Sequence, residues 1–115
     1  MKIIIYHNPM WGKSRDSVRI LEEKKEEFTV IEYLKNPLRK KDLIHVINIL
    51  GLKASDIVRT TEKEFKENNL SEIMGDEDKI LDAIEKFPKI MQRPIIIHGN
   101  KGVIGRPPGN INKIL

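Results

Sequence analysis

The first 34 residues alternate between apolar runs and an amphipathic segment, and this alternation limits the folds open to the chain more than any other feature. Residues 2–6 (KIIIY) form a continuous apolar run that is typical of a buried strand. Residues 12–25 carry apolar side chains at helical spacing, and residues 28–34 (FTVIEYL) are rich in β-branched and aromatic residues. This order of strand, helix and strand predicts a parallel, right-handed βαβ unit.

The remaining sequence predicts a helical middle, a hairpin and a closing helix. Residues 39–50 present one apolar helical face. The candidate caps and breakers of the middle segment are Gly51, Ser55, Thr61, Asp76 and Pro88. Residues 93–99 (RPIIIHG) predict a third strand, residues 100–102 (NKG) a turn, and the following VIG a fourth strand.

The order β-α-β, helices, β-β-α predicts the α/β fold class. The specific expectation is a thioredoxin-like fold in which a four-stranded mixed sheet carries a helical insertion and is covered by helices. A length of 115 residues suits a single domain over residues 1–115. The Arg93–Pro94 bond directly precedes a strand and is a candidate cis peptide, while Pro107 or Pro108 is positioned to begin the last helix.

The composition excludes several kinds of chemistry. The chain has no cysteine, so disulfides, thiolate metal sites and thiol-based reactions are excluded. The histidines His7, His45 and His98 have no H-x-x-x-H or H-x-H spacing, and no metal site is predicted. The net charge of +4 is spread among acidic residues without aromatic-basic interleaving, which disfavours direct nucleic-acid binding. No targeting segment or bilayer-length apolar stretch occurs, so we expect a cytoplasmic protein with no membrane partner.

Five motifs follow one another along the chain, and together they are specific. They read HNPMWGKSR, EYLKNPL, RTTEKEFKE, MQRPIII and GVIGRPP. In this order they resemble the glutaredoxin-dependent arsenate reductase family and its Spx-type relatives, over nearly the whole chain. The resemblance implies the thioredoxin-like fold that the pattern of elements also predicts.

The first motif departs from the family at its centre. The reductases carry N-P-x-C-G-T-S-R, whereas this chain has Trp11 at the position of the nucleophilic cysteine and Lys13 in place of threonine. The resemblance implies a thiolate that attacks arsenic, followed by reduction with glutathione and glutaredoxin. An indole has no comparable nucleophile, so we predict no arsenate reductase activity and no use of glutathione or glutaredoxin as cofactors.

The resemblance also implies an oxyanion site. Arg59, Arg93 and Arg106 occupy the family positions whose guanidinium groups hold arsenate and arsenite, and such groups beside a helix start make an anion trap. Simpler interpretations stand beside this one. Arg59 is placed to pair with Glu62, Arg93 to be a surface residue, and Arg106 to pack along the last helix.

The remaining candidate site residues surround the motif that carries Trp11. His7, Gly12, Lys13 and Ser14 are expected to line the site, and no catalytic residue is predicted. His7 is interpreted as structural. Trp11 has two interpretations: its ring fills the vacated pocket, which we favour, or it is an exposed anchor for a partner.

Two classes of function follow from these residues. The first is a pseudoenzyme, a non-catalytic module that binds an oxyanion or a protein and serves regulation. RNA polymerase is its candidate protein partner by analogy with Spx-type relatives. The second is an enzyme of another kind that holds a phosphate or other oxyanion on the arginines and uses Ser14 as nucleophile or His7 as acid or base. No base lies at a defined spacing from Ser14, which counts against the serine.

Overall fold

The sheet is built around its first strand. In the computed structural model, which describes residues 2–115, the four strands are β1 (Ile3–His7), β2 (Phe28–Glu32), β3 (Ile95–His98) and β4 (Lys101–Ile104). Their order is β2-β1-β3-β4. Strand β1 pairs in parallel with β2 and antiparallel with β3, which pairs antiparallel with β4. The mixed four-stranded sheet confirms the predicted α/β fold class.

One face of this sheet forms a core because the burial of β1 alternates. Ile3 and Ile5 are buried and the residues between them are less so, as the period of two in a strand requires. Helix α1 (Gly12–Glu23) and a closing 3₁₀ helix (Pro108–Lys113) pack together in the same unit. The buried members of this core are Ile3, Ile5, Leu21, Ile96, Ile111 and Ile114.

Contacts between residues divide the chain into two compact units. The first runs from the N-terminus to Asn36 and includes Arg93–Leu115, so it holds the sheet, α1 and the closing 3₁₀ helix. The second is Pro37–Gln92 and corresponds to the predicted helical insertion. It holds α2 (Lys40–Leu50), α3 (Lys63–Glu67), α4 (Glu77–Lys86) and the 3₁₀ helices Ala54–Ile57, Leu70–Ile73 and Pro88–Ile90. A single domain over residues 1–115 stays a prediction.

Two of the predicted caps in the second unit are confirmed. Gly51 ends α2 with φ 68°, a left-handed conformation that glycine adopts without a Cβ clash. The side chain of Asp76 accepts a hydrogen bond of 3.1 Å from the backbone N–H of Lys79 and so caps α4. Both ends were predictable because each depends on one residue and its immediate neighbours.

The other two predicted caps are wrong. Helix α3 begins after Glu62 with no side-chain cap, so Thr61 does not form the expected capping box. Ser55 lies inside the 3₁₀ helix, where the carboxylate of Asp56 accepts the N–H of Lys53 at 2.9 Å. The N–H groups of Ala54 and Ser55 instead donate to the carboxylate of Glu77, which is 23 and 22 residues away, respectively. Local spacing in the sequence does not reveal a partner at this distance.

The hairpin of the first unit turns earlier than predicted. Lys101 pairs with His98, so the turn consists of Gly99 and Asn100, and the predicted turn over 100–102 is wrong. Gly99 has φ 64°, the value that a two-residue hairpin favours. The predicted cis bond at Arg93–Pro94 is confirmed, and the closing helix begins at Pro108 as expected.

Gly105 is the glycine whose replacement the packing does not tolerate. A Cβ at this position would lie 2.7 Å from Pro94 Cγ, 2.7 Å from Ser17 Oγ and 3.0 Å from Ile96 Cδ1. The proline ring cannot rotate away, and Ser17 is fully buried and donates to the carbonyl of Lys13 at 2.9 Å. Helix α1 and strand β3 therefore approach each other across a backbone without a side chain.

Replacing this glycine tests the packing directly. We expect Gly105→Ala to lower the free energy of unfolding by about 1–3 kcal/mol, the usual cost of overpacking a core. Urea unfolding followed by circular dichroism measures the change. Gly109→Ala is the matched control, because its Cβ would meet open space. Equal stability of the two variants would contradict this account of the packing.

Candidate functional site

The turn between β1 and α1 is closed by two hydrogen bonds to Asn8. Its carbonyl accepts the N–H of Trp11 at 3.1 Å, and its side-chain Oδ1 accepts the N–H of Met10 at 3.0 Å. Asn8 is 3% exposed, so its polar groups are satisfied within the protein. Asn8 is not among the predicted site residues, although an Asn-Pro pair after a strand is a recognised turn signal.

Ser14 connects the turn to strand β1. Its Oγ accepts the backbone N–H of Asn8 at 3.0 Å and lies 2.6 Å from Nδ1 of His7. A serine hydroxyl has one proton and two acceptor lone pairs, so it can bond to the Asn8 N–H and to the imidazole at the same time. Ser14 is fully buried in the first turn of α1, so this network fixes where the helix starts.

Burial lowers the pKa of His7. Desolvation is the largest cause, the charge of Arg15 acts in the same direction, and Glu32 opposes both. Glu32 lies directly across the parallel ladder from His7. The contact of 2.6 Å between Nδ1 and Ser14 Oγ gives the buried ring a polar partner. These observations are consistent with a structural role for His7.

Trp11 lies over the guanidinium group of Arg93. The Cζ atom of Arg93 is 3.7 Å from the centroid of the indole ring, a close cation–π contact. Arg93 is 3% exposed, whereas Trp11 is 44% exposed. The interpretation of Arg93 as a surface residue is therefore wrong, while both interpretations of Trp11 stay predictions. The indole covers a buried cation with one face and remains open to solvent.

The other two predicted arginines have different surroundings. Arg59 belongs to the second unit and pairs through Nε with Glu62 Oε1 at 3.2 Å, with both side chains largely buried. Arg106 belongs to the first unit, is exposed, and follows β4. Its backbone carbonyl accepts a hydrogen bond from Asn110, which holds it at the start of the closing helix. The assignment of the three arginines to an oxyanion site stays a prediction.

The residues predicted to line the site differ in how open they are. Gly12 and Lys13 are exposed at the start of α1, whereas His7 and Ser14 are buried. Sequence spacing suggested no base for Ser14, yet His7 lies within hydrogen-bond distance of it. Because Ser14 is fully buried, a substrate has no path to its hydroxyl in this conformation.

Residues 2–115 also bear on two other kinds of site. Across this described part, no cluster of three or more histidine and carboxylate side chains is arranged to hold a metal ion. None of the helices there has the length and apolar character needed to cross a membrane.

The depressed pKa of His7 predicts how stability depends on pH. Because the folded state binds this proton more weakly than the unfolded chain, the contribution of His7 is complete above the unfolded value of about 6.5 and is lost as pH falls through the lower folded pKa. An imidazole NMR titration, assigned with a His7→Gln variant, measures the pKa. We expect a value below 6.5, and a lower one still in Glu32→Gln. A value at or above 6.5 would contradict the assignment.

The comparisons with known proteins agree with one another. The model of the ArsC family matches residues 6–114. The protein YfgD of Escherichia coli K12 is 36% identical over 99% of this chain and 97% of its own length. The arsenate reductase of Neisseria meningitidis serogroup B is also 36% identical, over 99% of this chain and 98% of its own. The solved structure of an arsenate reductase from Vibrio cholerae superimposes with a TM-score of 0.94 at 33% identity, covering 100% of this chain and 98% of that one. This chain is a member of the ArsC family, and it contains no cysteine.

Proposed function

We propose that this protein is a non-catalytic member of the ArsC family that works by binding a protein partner in the cytoplasm. The observation that carries the proposal is the contact between Trp11 and Arg93. Trp11 has no nucleophilic sulfur and stands at the position that the resemblance assigns to the catalytic cysteine. Its ring covers the guanidinium group of Arg93, which the resemblance assigns to the anion site. Binding remains available to such a surface, whereas thiol chemistry does not.

A protein partner agrees better with the local contacts than a small oxyanion does. Arg93 is almost fully buried beneath the indole, and Arg59 is engaged by a carboxylate. To bind Arg59, an oxyanion would have to compete with Glu62. To bind Arg93, it would have to compete with the indole of Trp11. A protein partner that contacts the exposed side of the indole can bind while both arginines keep these contacts.

The loss of thiol chemistry is tested by restoring the sulfur. With arsenate, glutathione and glutaredoxin, we expect the natural protein to give no turnover above a protein-free control. In Trp11→Cys, we expect the new thiol to have a pKa below the usual value of about 8.5, because it precedes the N-terminus of α1 with Lys13 and Arg15 nearby in the sequence. The pH dependence of iodoacetamide alkylation measures that pKa.

These experiments have clear contrary outcomes. Arsenate reduction by the natural protein would overturn the proposal that it is non-catalytic. A thiol pKa at or above 8.5 in Trp11→Cys would show that the electrostatic setting of the turn does not support a thiolate. Since the natural chain has no other cysteine, alkylation at this position is read without interference.

Oxyanion binding is the second candidate function, because Arg106 is exposed in the implied site. We expect Trp11→Ala to bind arsenate more tightly than the natural protein by roughly 2- to 30-fold, the equivalent of a cation–π contact of about 0.5–2 kcal/mol. Isothermal titration calorimetry measures both affinities. The gain should disappear in the double variant Trp11→Ala/Arg93→Ala. An unchanged affinity in Trp11→Ala would mean that the indole does not restrict the anion.

A further enzymatic activity at Ser14 has one observation in its favour, the 2.6 Å contact with His7. Full burial of the hydroxyl speaks against it. Hydrolysis of p-nitrophenyl phosphate that is lost in Ser14→Ala, with the fold retained, would establish that activity in place of the binding role.

A further inference from the structure

We propose that the surface around Trp11 binds an acidic protein segment, one that presents an apolar side chain flanked by carboxylates. This inference rests on the proposed function and specifies the chemistry of the partner. The exposed side chains of this segment that carry the argument are the apolar Met10 and Trp11 and the cations Lys13 and Arg15, and we refer to them together as the indole patch.

The apolar part of the patch is unusually open for its residue types. Met10 is 80% exposed and Trp11 is 44% exposed, and the two are adjacent in the turn. Tryptophan is enriched at the energetic centres of interfaces, and methionine adapts its shape to a partner's side chains. Together they offer a protruding apolar contact that a shallow pocket or an apolar side chain of a partner can cover.

The indole is held in one orientation before any partner arrives. One face of the ring rests on Arg93 at 3.7 Å, and the backbone N–H of Trp11 is bonded to the carbonyl of Asn8, which positions the residue in the turn. An anchor that is already ordered loses less conformational entropy on binding than a freely rotating one. The outer face therefore presents a fixed surface, which favours a shaped protein contact over a loose apolar association.

The charge around this anchor is positive. Lys13 and Arg15 are exposed, and no acidic residue lies in the first turn of α1. The next carboxylate along the helix belongs to Asp16, which is paired with Arg19 at 3.3 Å. Opposite charges across an interface steer association and fix its register. A partner with carboxylates beside its apolar side chain would therefore be complementary in charge to Lys13 and Arg15.

Other classes of partner fit the patch less well. Membrane-surface binding depends on an extended apolar helix face, and here two apolar residues lie together on a turn. Nucleic-acid binding depends on several phosphate contacts, and the patch has two exposed cations. A second copy of this chain has the same net charge of +4 and is repelled as a whole.

Selection from a displayed library of random peptides on the immobilised full chain supplies the probe. We expect the enriched peptides to place Asp or Glu on both sides of a large apolar residue. Fluorescence anisotropy with the most enriched peptide then compares variants. We expect Trp11→Ala to weaken binding at least tenfold, as replacement of an interface hot spot does. Lys13→Glu should weaken it by about three- to tenfold, and less in high salt.

Matched controls separate the patch from general effects. Ile44→Ala removes an apolar side chain that is 42% exposed in the other unit, and Lys41→Glu makes the same charge change at another exposed position. Both should bind the peptide as the natural protein does. Met10→Ala removes a side chain that is 80% exposed and provides a second test should Trp11→Ala fail to fold. It should weaken binding measurably.

The outcomes distinguish the two levels of the proposal. Enriched peptides that need Trp11 but lack an excess of carboxylates would overturn the acidic partner and leave protein binding in place. Enriched peptides that bind all variants equally would overturn both. Binding to anionic vesicles or to an oligonucleotide that Trp11→Ala abolishes would assign the patch to a membrane or a nucleic acid instead. Self-association in sedimentation that the same variant removes would assign it to a second copy.

Discussion

The hydroxyl of Ser14 is the point on which the geometry of the candidate site depends. It is buried in the first turn of α1 and joins the end of β1 to the helix through Asn8 and His7. A buried hydroxyl with several partners has little freedom to move, so the length of the loop and the start of the helix are fixed together. Met10 and Trp11 lie between these two fixed ends, and both are exposed.

The contact between Trp11 and Arg93 joins the residue at the family's cysteine position to a buried cation. A buried guanidinium group needs partners that compensate for lost hydration. The electron-rich face of the indole, whose centroid lies 3.7 Å from Arg93 Cζ, contributes such compensation. The resemblance to the reductases implies that an oxyanion would contact this guanidinium group. The ring also closes one side of the cation to solvent. Replacement of one residue thus removes the nucleophile and alters the accessibility of a charge at the same time.

The sequence predicted those features of the fold that depend on short-range patterns. The βαβ order, the left-handed Gly51, the cap at Asp76 and the cis bond at Arg93–Pro94 all reflect one residue or a local periodicity. The caps assigned to Ser55 and Thr61 were wrong because a distant carboxylate, that of Glu77, serves the N–H groups beside one of them and no side chain caps the helix after the other. Competition between local and distant partners cannot be read from spacing.

The difference between local and distant partners also explains why the candidate site could be predicted only in part. The motif located the turn and the unusual Trp11, but it left open whether the ring fills a pocket or is an exposed anchor. The contact that the ring makes depends on Arg93, which is 82 positions away in the chain and reaches the turn through the pairing of β1 with β3. The sheet thereby brings a cation to the aromatic residue, and that meeting decides which face of the indole is covered. The surface that we propose for a partner would therefore arise from strand pairing, which brings Arg93 against one face of the ring.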